Sequence, residues 1–300
     1  MKDIFPIGSI SALHKTFGLP KPSHPLISIV RKWPKSDFDF GKFRLTSDLY
    51  VVSLKENFEG VIQYGRSSYD FEDGTLVFMG PGQVASFENP VKDQSDAGWS
   101  MFFHPDLLRK SELARKIRQF AFFDYVANEA LHVSDNEKAM LNDLVEKIDM
   151  ELRQNIDTHS QELIIVNLES ILKYCRRYYD RQFFTRSNLN KDFVARFEEY
   201  LEAYFTSDEQ LTAGIPTISQ CGDAMNMSGP YLSDLLRLET GKSAKEHIHD
   251  YVIDQAKNRL LGTNLTVGEV AYSLGFEYPQ HFSKLFKVKT GVTPSDYRNR

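Results

Sequence analysis

Between Leu26 and Phe103 short apolar runs alternate with turn residues. SDLYVVSLKE (47–56), GVIQYG (60–65), GTLVFMG (74–80), QVASF (83–87) and GWSMFF (98–103) are rich in aromatic and β-branched residues. Gly, Pro, Asn and Asp separate them, so each run predicts a strand. A series of short strands joined by turns predicts an antiparallel barrel or sandwich. A barrel of this size can hold one small ligand in its mouth.

The period changes after residue 133. Ser134 and Glu137 form a capping-box pattern, in which each side chain can reach the other's backbone NH. Leu141, Leu144, Val145, Ile148 and Leu152 follow at helical spacing. A second helix is predicted from about Thr158 to Arg181, with Leu163, Ile164, Leu168, Ile171, Leu172 and Cys175 inward. Two such helices are long enough to pack on the barrel, on each other or on a second subunit. The polar stretch 181–191 breaks the periodicity and predicts a boundary.

From about Lys191 onward the chain reads as helices and turns. One helix is expected over Asp192 to Phe205. Thr217 to Gln220 opens another with a capping-box pattern, and Ser228 can cap a third with Pro230 in its first turn. A longer helix is expected from about Ala244 to Leu261. Thr266 to Glu269 caps the next, and a last one runs from near Tyr278 to Gly291.

This third stretch repeats itself. Tyr231–Gly241, shifted by 50 residues, meets His281–Gly291, with Ser, Leu, Thr and Gly identical at four places. Before each copy lie a short capped helix and a tight turn, Asn226-Met227 and Gly275-Phe276. Gly, and less readily Asn, adopts the left-handed conformation such turns need. Gly222 and Ala271 are small where two helices cross. Two short helices joined by such a turn make a helix-turn-helix, whose second helix fits the DNA major groove. Positions 232, 235, 236 and 282, 285, 286 face the core. The complementary faces carry Pro230, Ser233, Asp234 and Arg237, then Gln280, Ser283, Lys284 and Lys287. Gln pairs with adenine, Lys with guanine or phosphate, Ser with either. The long helix between the copies carries Ile248, Val252, Ile253, Ala256 and Leu260 and would fix their separation. Two reading helices on one face of a duplex need centres about 34 Å apart.

Composition narrows the alternatives. With 41% hydrophobic and 26% charged residues, the 300-residue chain is neither disordered nor low-complexity. No apolar run approaches the roughly 20 residues a bilayer needs. The start lacks a basic-then-apolar leader, so a cytoplasmic location is expected. Cys175 and Cys221 are too few for a disulfide framework. The net charge of −5 argues against a protein that coats nucleic acid at random. Residues 216–300 carry 10 Lys and Arg against 9 Asp and Glu, and residues from 262 onward 5 against 3. Phosphate contacts are therefore expected from a few residues: Arg237, Lys242, Lys287, Lys289 and Arg298, with Lys284 able to serve in both roles.

Residues 190–300 resemble the DNA-binding domain of the AraC/XylS family of bacterial transcription regulators. The likeness is densest over TVGEVAYSLGFEYPQHFSKLFK (266–287) and TGVTPSDYR (290–298). It implies two helix-turn-helix units on a linker helix, inserted in adjacent major-groove segments of double-stranded DNA. It also implies a separate N-terminal sensing or dimerisation domain, often a cupin-like barrel, with a homodimer and RNA polymerase as further partners. The expected fold is thus α+β in two domains. Residues 1–133 form a cupin-like antiparallel β-barrel, 134–183 a helical pair for dimerisation or linkage, and 190–300 an all-α tandem helix-turn-helix domain. Gly80-Pro81-Gly82 and the run from Phe102 to Leu108 are similar to text in some such N-terminal domains. Asp234 departs from the family, which often has Arg there, and Gly222 costs its helix up to about 1 kcal/mol relative to Ala. The second unit, with Gln280 and Lys284, is expected to carry more of the specificity.

An enzyme is the rival class. None of the eight histidines falls within 47–87, and the only His-x-His, His247 and His249, lies on the linker helix, where residues two apart diverge. No phosphate loop, nucleophile elbow or Cys/His pair is present. No metal, cofactor or catalysis is expected. A small organic effector in the barrel mouth would meet Tyr50, Gln63, Tyr64, Arg66 and Trp99; the alternative is a ligand-free dimerisation domain.

Overall fold

The structure, a computed structural model, describes residues 3–34, 43–55, 61–64, 67–70, 74–88, 98–125, 129–154, 157, 159–186 and 191–299. The chain divides into two compact units, Met1–Gln182 and Phe183–Arg300.

The first unit runs β1 (Asp3–Ile7), α1 (Ile10–Thr16), β2 (Ile27–Val30), β3 (Phe43–Ser47), β4 (Tyr50–Lys55), β5 (Val61–Tyr64), β6 (Ser67–Asp70), β7 (Thr75–Met79), β8 (Val84–Glu88) and β9 (Gly98–Phe103). Then come α2 (Leu113–Lys116), β10 (Leu131–His132), α3 (Asp135–Arg153) and α4 (Ser160–Arg186), whose last turn, from Phe183, belongs to the second unit. Among the described residues the strands form two five-stranded sheets, β1-β3-β8-β5-β6 and β10-β7-β4-β9-β2. Every pairing is antiparallel except the parallel edge pair β1–β3. The antiparallel strands expected from the sequence are present, and among the described residues strand pairing leaves them as two sheets. β1 was invisible in the pattern because it contains Pro6. A proline has no NH to give a ladder, and β1 tolerates it by lying at an edge.

Strand alternation assigns the faces of the second sheet. On one side Ile7, Leu45, Val30 and Phe102 close a cluster with Ile10, Leu13 and Phe17 of α1 and its end, and Val51 packs against it. That side therefore faces the first sheet. On the other, Phe78 meets Phe122 and Tyr179, at 4.4 and 6.0 Å between ring centroids, so α4 and the 3-10 turn Ala121–Asp124 cover it. α3 begins as expected: the Ser134 hydroxyl accepts from the Glu137 NH, and the Glu137 carboxylate accepts from the Ser134 NH.

The second unit contains α5 (Lys191–Thr206), α6 (Gln210–Ala213), α7 (Ile218–Ala224), α8 (Gly229–Thr240), α9 (Ala244–Gly262), α10 (Val267–Ser273), α11 (Pro279–Thr290) and α12 (Pro294–Arg298). Reciprocal capping boxes open α7 at Thr217 and α10 at Thr266, and a third, Ser243 with Glu246, opens α9. The two turns take left-handed residues where expected, Asn226 at φ 58° and Gly275 at φ 85°. In each, a backbone NH beyond the turn reaches back to the small residue, Met227 to the Gly222 carbonyl and Phe276 to the Ala271 carbonyl. α8 starts at Ser228 and α11 at Tyr278, so the second turn is one residue longer. α9 packs against α8, α10, α11 and α12 through Ile248, Val252, Ile253, Ala256 and Leu260.

Gly222 has a packing reason. A Cβ there would lie 2.7 Å from the Gly229 nitrogen and 2.7 Å from the Met227 oxygen, both backbone atoms that cannot rotate away. Ala would raise helix propensity by up to about 1 kcal/mol, yet the overpacking costs more. Gly222→Ala should therefore lower stability by about 2 kcal/mol net. A reduced urea midpoint for helical ellipticity checks this; an unchanged or raised midpoint contradicts the close crossing.

Candidate nucleic-acid interface

Two helix pairs, α7–α8 and α10–α11, provide the candidate surface. In α11, Phe282 and Phe286 are fully buried, and their rings stand 5.7 Å apart. Residues at i and i+4 share one helix face. Burial of those two leaves Gln280, Lys284 and Lys287 exposed on the opposite side. Ser283 is half-buried and donates its hydroxyl to the Pro279 carbonyl at 3.0 Å. His281 is also exposed, with its ring 5.5 Å from Tyr278. It adjoins Gln280 and Lys284 on the helix surface. The sequence reading left it out, although its place one residue after Gln280 on an amphipathic helix was signal enough.

The equivalent face of α8 is more occupied. Leu232, Leu235 and Leu236 are buried as expected. Pro230 sits half-buried in the first turn. The Ser233 hydroxyl accepts from the Ala244 NH at the start of α9, at 3.4 Å. Asp234 and Arg237 form an ion pair at 2.7 Å across one helical turn. Tyr231, the repeat partner of His281, is buried.

Besides Arg237, three of the phosphate candidates have partners within the unit. Lys242 follows the left-handed Gly241 that ends α8, and its ammonium donates to Asp250 at 2.8 Å. Lys289, in the last turn of α11, donates to the other oxygen of the same carboxylate at 2.7 Å. Arg298 turns inward: its Nε donates to the Leu260 carbonyl near the end of α9, and its Nη2 is buried without a hydrogen bond. Its expected role on the DNA backbone is corrected to one of closing α12 onto α9.

Electrostatics follow from these contacts. Burial raises the Asp250 carboxyl, but hydrogen bonds from Lys242 and Lys289 outweigh it and hold the group below its ordinary value. Hydrogen bonds from Ser243 lower Glu246, and those from Thr266 lower Glu269. His247 and His249 are both lowered, first by burial and then by nearby lysines.

Of the five residues expected to line an effector pocket, Tyr50 and Trp99 have described side chains. Tyr50 stacks on Phe103 at 5.0 Å and meets Phe123 edge-on at 4.8 Å. Trp99 is buried and donates its indole NH to Asn142 of α3 at 2.8 Å. Both lie on the helix-covered side of the second sheet, Trp99 buried and Tyr50 half-buried. Gln63 and Tyr64 lie on β5, but their side chains, and all of Arg66, are outside the described residues. Alternation puts Val51, Ser53 and Lys55 on the side facing the first sheet. There the Ser53 hydroxyl donates to that of Ser100 at 2.9 Å, and burial pulls the Lys55 ammonium down to about 8.

Residues 221–300 match the helix-turn-helix domain family. The chain is 26% identical over 194 residues to an uncharacterised HTH-type transcriptional regulator, YijO, of Escherichia coli, a span of 65% of each chain. It is 32% identical over 83 residues to an uncharacterised HTH-type transcriptional regulator, YobQ, of Bacillus subtilis, covering 28% of this chain and 34% of the relative. The chain thus spans under two-thirds of these relatives' lengths. Among solved structures, the C-terminal domain of AraT, a response regulator from Geobacillus stearothermophilus, is 28% identical. That match covers 35% of this chain and 83% of the other, with a TM-score of 0.31.

The lowered groups predict a pH dependence. A histidine held low in the folded chain, or a carboxylate held low, leaves the unfolded chain binding more protons as pH falls. Stability is therefore lost on acidification, first through the histidine range below about 6.5 and again through the carboxylate range below about 4.5. Melting temperature should fall in those two stages from pH 7.5 to 3.5. His24 is held low by burial as well, so His247→Gln with His249→Gln should reduce the first stage without abolishing it and leave the second unchanged; an unaltered profile would contradict a contribution from these two rings.

Proposed function

We propose that the chain, whose residues 221–300 match a helix-turn-helix domain family, is a transcription regulator of the AraC/XylS type and binds double-stranded DNA through two helix-turn-helix units set in neighbouring major-groove segments. The observation that carries this reading is the repeated helix pair, whose second copy turns Gln280, Lys284 and Lys287 outward while Phe282 and Phe286 are buried. α11 reads bases through Gln280 and Lys284, with His281 and Ser283 beside them, and Lys287 holds a phosphate. α8 contributes less to readout, since Ser233, Asp234 and Arg237 already bond within the unit. Arg237 gives up its carboxylate for a phosphate, and Pro230 and Asp234 line the groove at the first half-site.

The first unit is read as a cupin-like sensing domain for a small-molecule effector held between its sheets. On the described wall, Ser53, Ser100 and Lys55 supply polar groups, beside Ser28 and Thr75 on the same face. The effector acts by binding two arrangements of the chain with different affinity. Leu163, expected to point inward, is instead exposed on α4, and together with the exposed Val166 it supports a homodimer formed through this unit. RNA polymerase is the protein partner of a regulator bound beside a promoter.

Selection of bound fragments from a genomic library gives the operator. On it, Gln280→Ala and Lys284→Ala should each cost about 1–3 kcal/mol at one base pair and relax the preference there. Lys287→Ala should weaken cognate and scrambled duplexes alike and flatten the salt slope by about one unit. Equal losses on both duplexes for Gln280→Ala would remove it from base reading.

An effector that binds only the folded chain raises stability by about 2.7 kcal/mol at a hundredfold excess over its Kd. Screening metabolites by thermal shift should find one whose effect Lys55→Met abolishes; a hit indifferent to that change places its site elsewhere.

A further inference from the structure

One carboxylate in the second unit serves two helices at once. Asp250 stands mid-way along α9, and its two oxygens accept from Lys242, just beyond α8, and from Lys289, at the end of α11. The lysines are 47 positions apart in the numbering, and nothing local brings them together. An isolated exposed ion pair contributes little, because water screens it and two side chains must be ordered. Asp250 differs from that case. It is partly sheltered, at 32% side-chain exposure, as is Lys289 at 28%. It also separates two ammoniums that would otherwise face each other across the same gap. Loss of its charge removes two attractions and exposes one repulsion.

We propose that Asp250 is a positioning residue of the DNA-binding unit, fixing the ends of α8 and α11 to one point on α9 and so setting the half-site spacing the chain accepts. This rests on the two-unit reading above. It moves Lys242 and Lys289 from the phosphate contacts to the internal frame. The apolar seam of α9 holds the helices together, but apolar contact is non-directional. A bridging carboxylate adds direction, because both lysines must reach it simultaneously.

The test has two arms, both on the full-length chain. In the first, spin labels are placed at Leu238→Cys and Val288→Cys, repeat-equivalent positions that are 43% and 74% exposed. The native Cys175 and Cys221 are buried. Pulsed dipolar distances should be narrow with Asp250, longer and broader with Asp250→Asn, and restored by Asp250→Glu. Superimposable distributions in all three overturn the proposal without reference to DNA. In the second arm the probe is the duplex selected from the genomic library, with and without one extra base pair between half-sites. The insertion should cost the wild-type chain about tenfold or more in affinity, and Asp250→Asn only about threefold or less. Asp250→Glu should recover the larger penalty. A two-part operator whose insertion penalty ignores residue 250 overturns the proposal while leaving the two-unit reading intact. A one-part operator sinks the two-unit reading and the spacing claim together, and the first arm then reports only whether the clamp exists.

Discussion

Burial of one apolar stripe on α9 determines what the second unit can present to a duplex. Ile248, Val252, Ile253, Ala256 and Leu260 are all buried, and complete burial of each large side chain contributes about 1.5–3 kcal/mol. α8, α10, α11 and α12 all pack on this helix. Once Phe282 and Phe286 are committed to the interior, the 3.6-residue period leaves no choice about the outer face of α11. The reading surface is thus the complement of the core. A change that rotated α11 to expose a different set would have to expose two phenylalanines.

The same constraint operates differently in the first unit. There the second sheet is covered on both sides, by the first sheet and by α4 with the segment before it. All five residues of β7 are buried, so no polar side exists to mark an outward face. Polar atoms inside such a layer must find partners. Ser53 and Ser100 satisfy each other, and Trp99 reaches Asn142 on α3. Chemistry in this unit therefore lies in a few polar groups on buried walls, and aromatic residues alone are a poor guide to it.

That difference explains what was legible in the sequence. Capping boxes at Ser134, Thr217 and Thr266 are local, and the structure contains both halves of each. The 50-residue repeat and its left-handed turn residues are equally local, so both helix pairs were readable. Tyr50 and Trp99 fall on the helix-covered side, which the sequence does not distinguish from the other, because alternation identifies a face only where one side is wet. β1 was hidden by Pro6, and α6 is a four-residue helix too short for any period. The Asp250 contacts join residues 8 and 39 positions apart, beyond the reach of helical spacing. Gly222 shows the opposite failure. Its helix propensity is poor, but the close crossing of α7 with the start of α8 decides the residue.

Charge distribution then limits how this unit can use electrostatics. Ten basic residues against nine acidic ones from Pro216 onward leave little net attraction for a polyanion. The internal pairs reduce it further: Asp254 takes Lys257, and Asp250 takes both Lys242 and Lys289. Each cation neutralised inside the protein is one fewer to release counterions from a duplex, and counterion release is the sequence-independent part of DNA affinity. On the proposed two-unit reading, a unit built this way would have a shallow salt slope and weak non-specific binding. Its discrimination would then come from neutral and singly charged side chains on α11 and from the spacing between the two units. Rigidity between those units then matters more than it would in a strongly basic protein, because a loosely held pair with little general affinity would have nothing left to bind with.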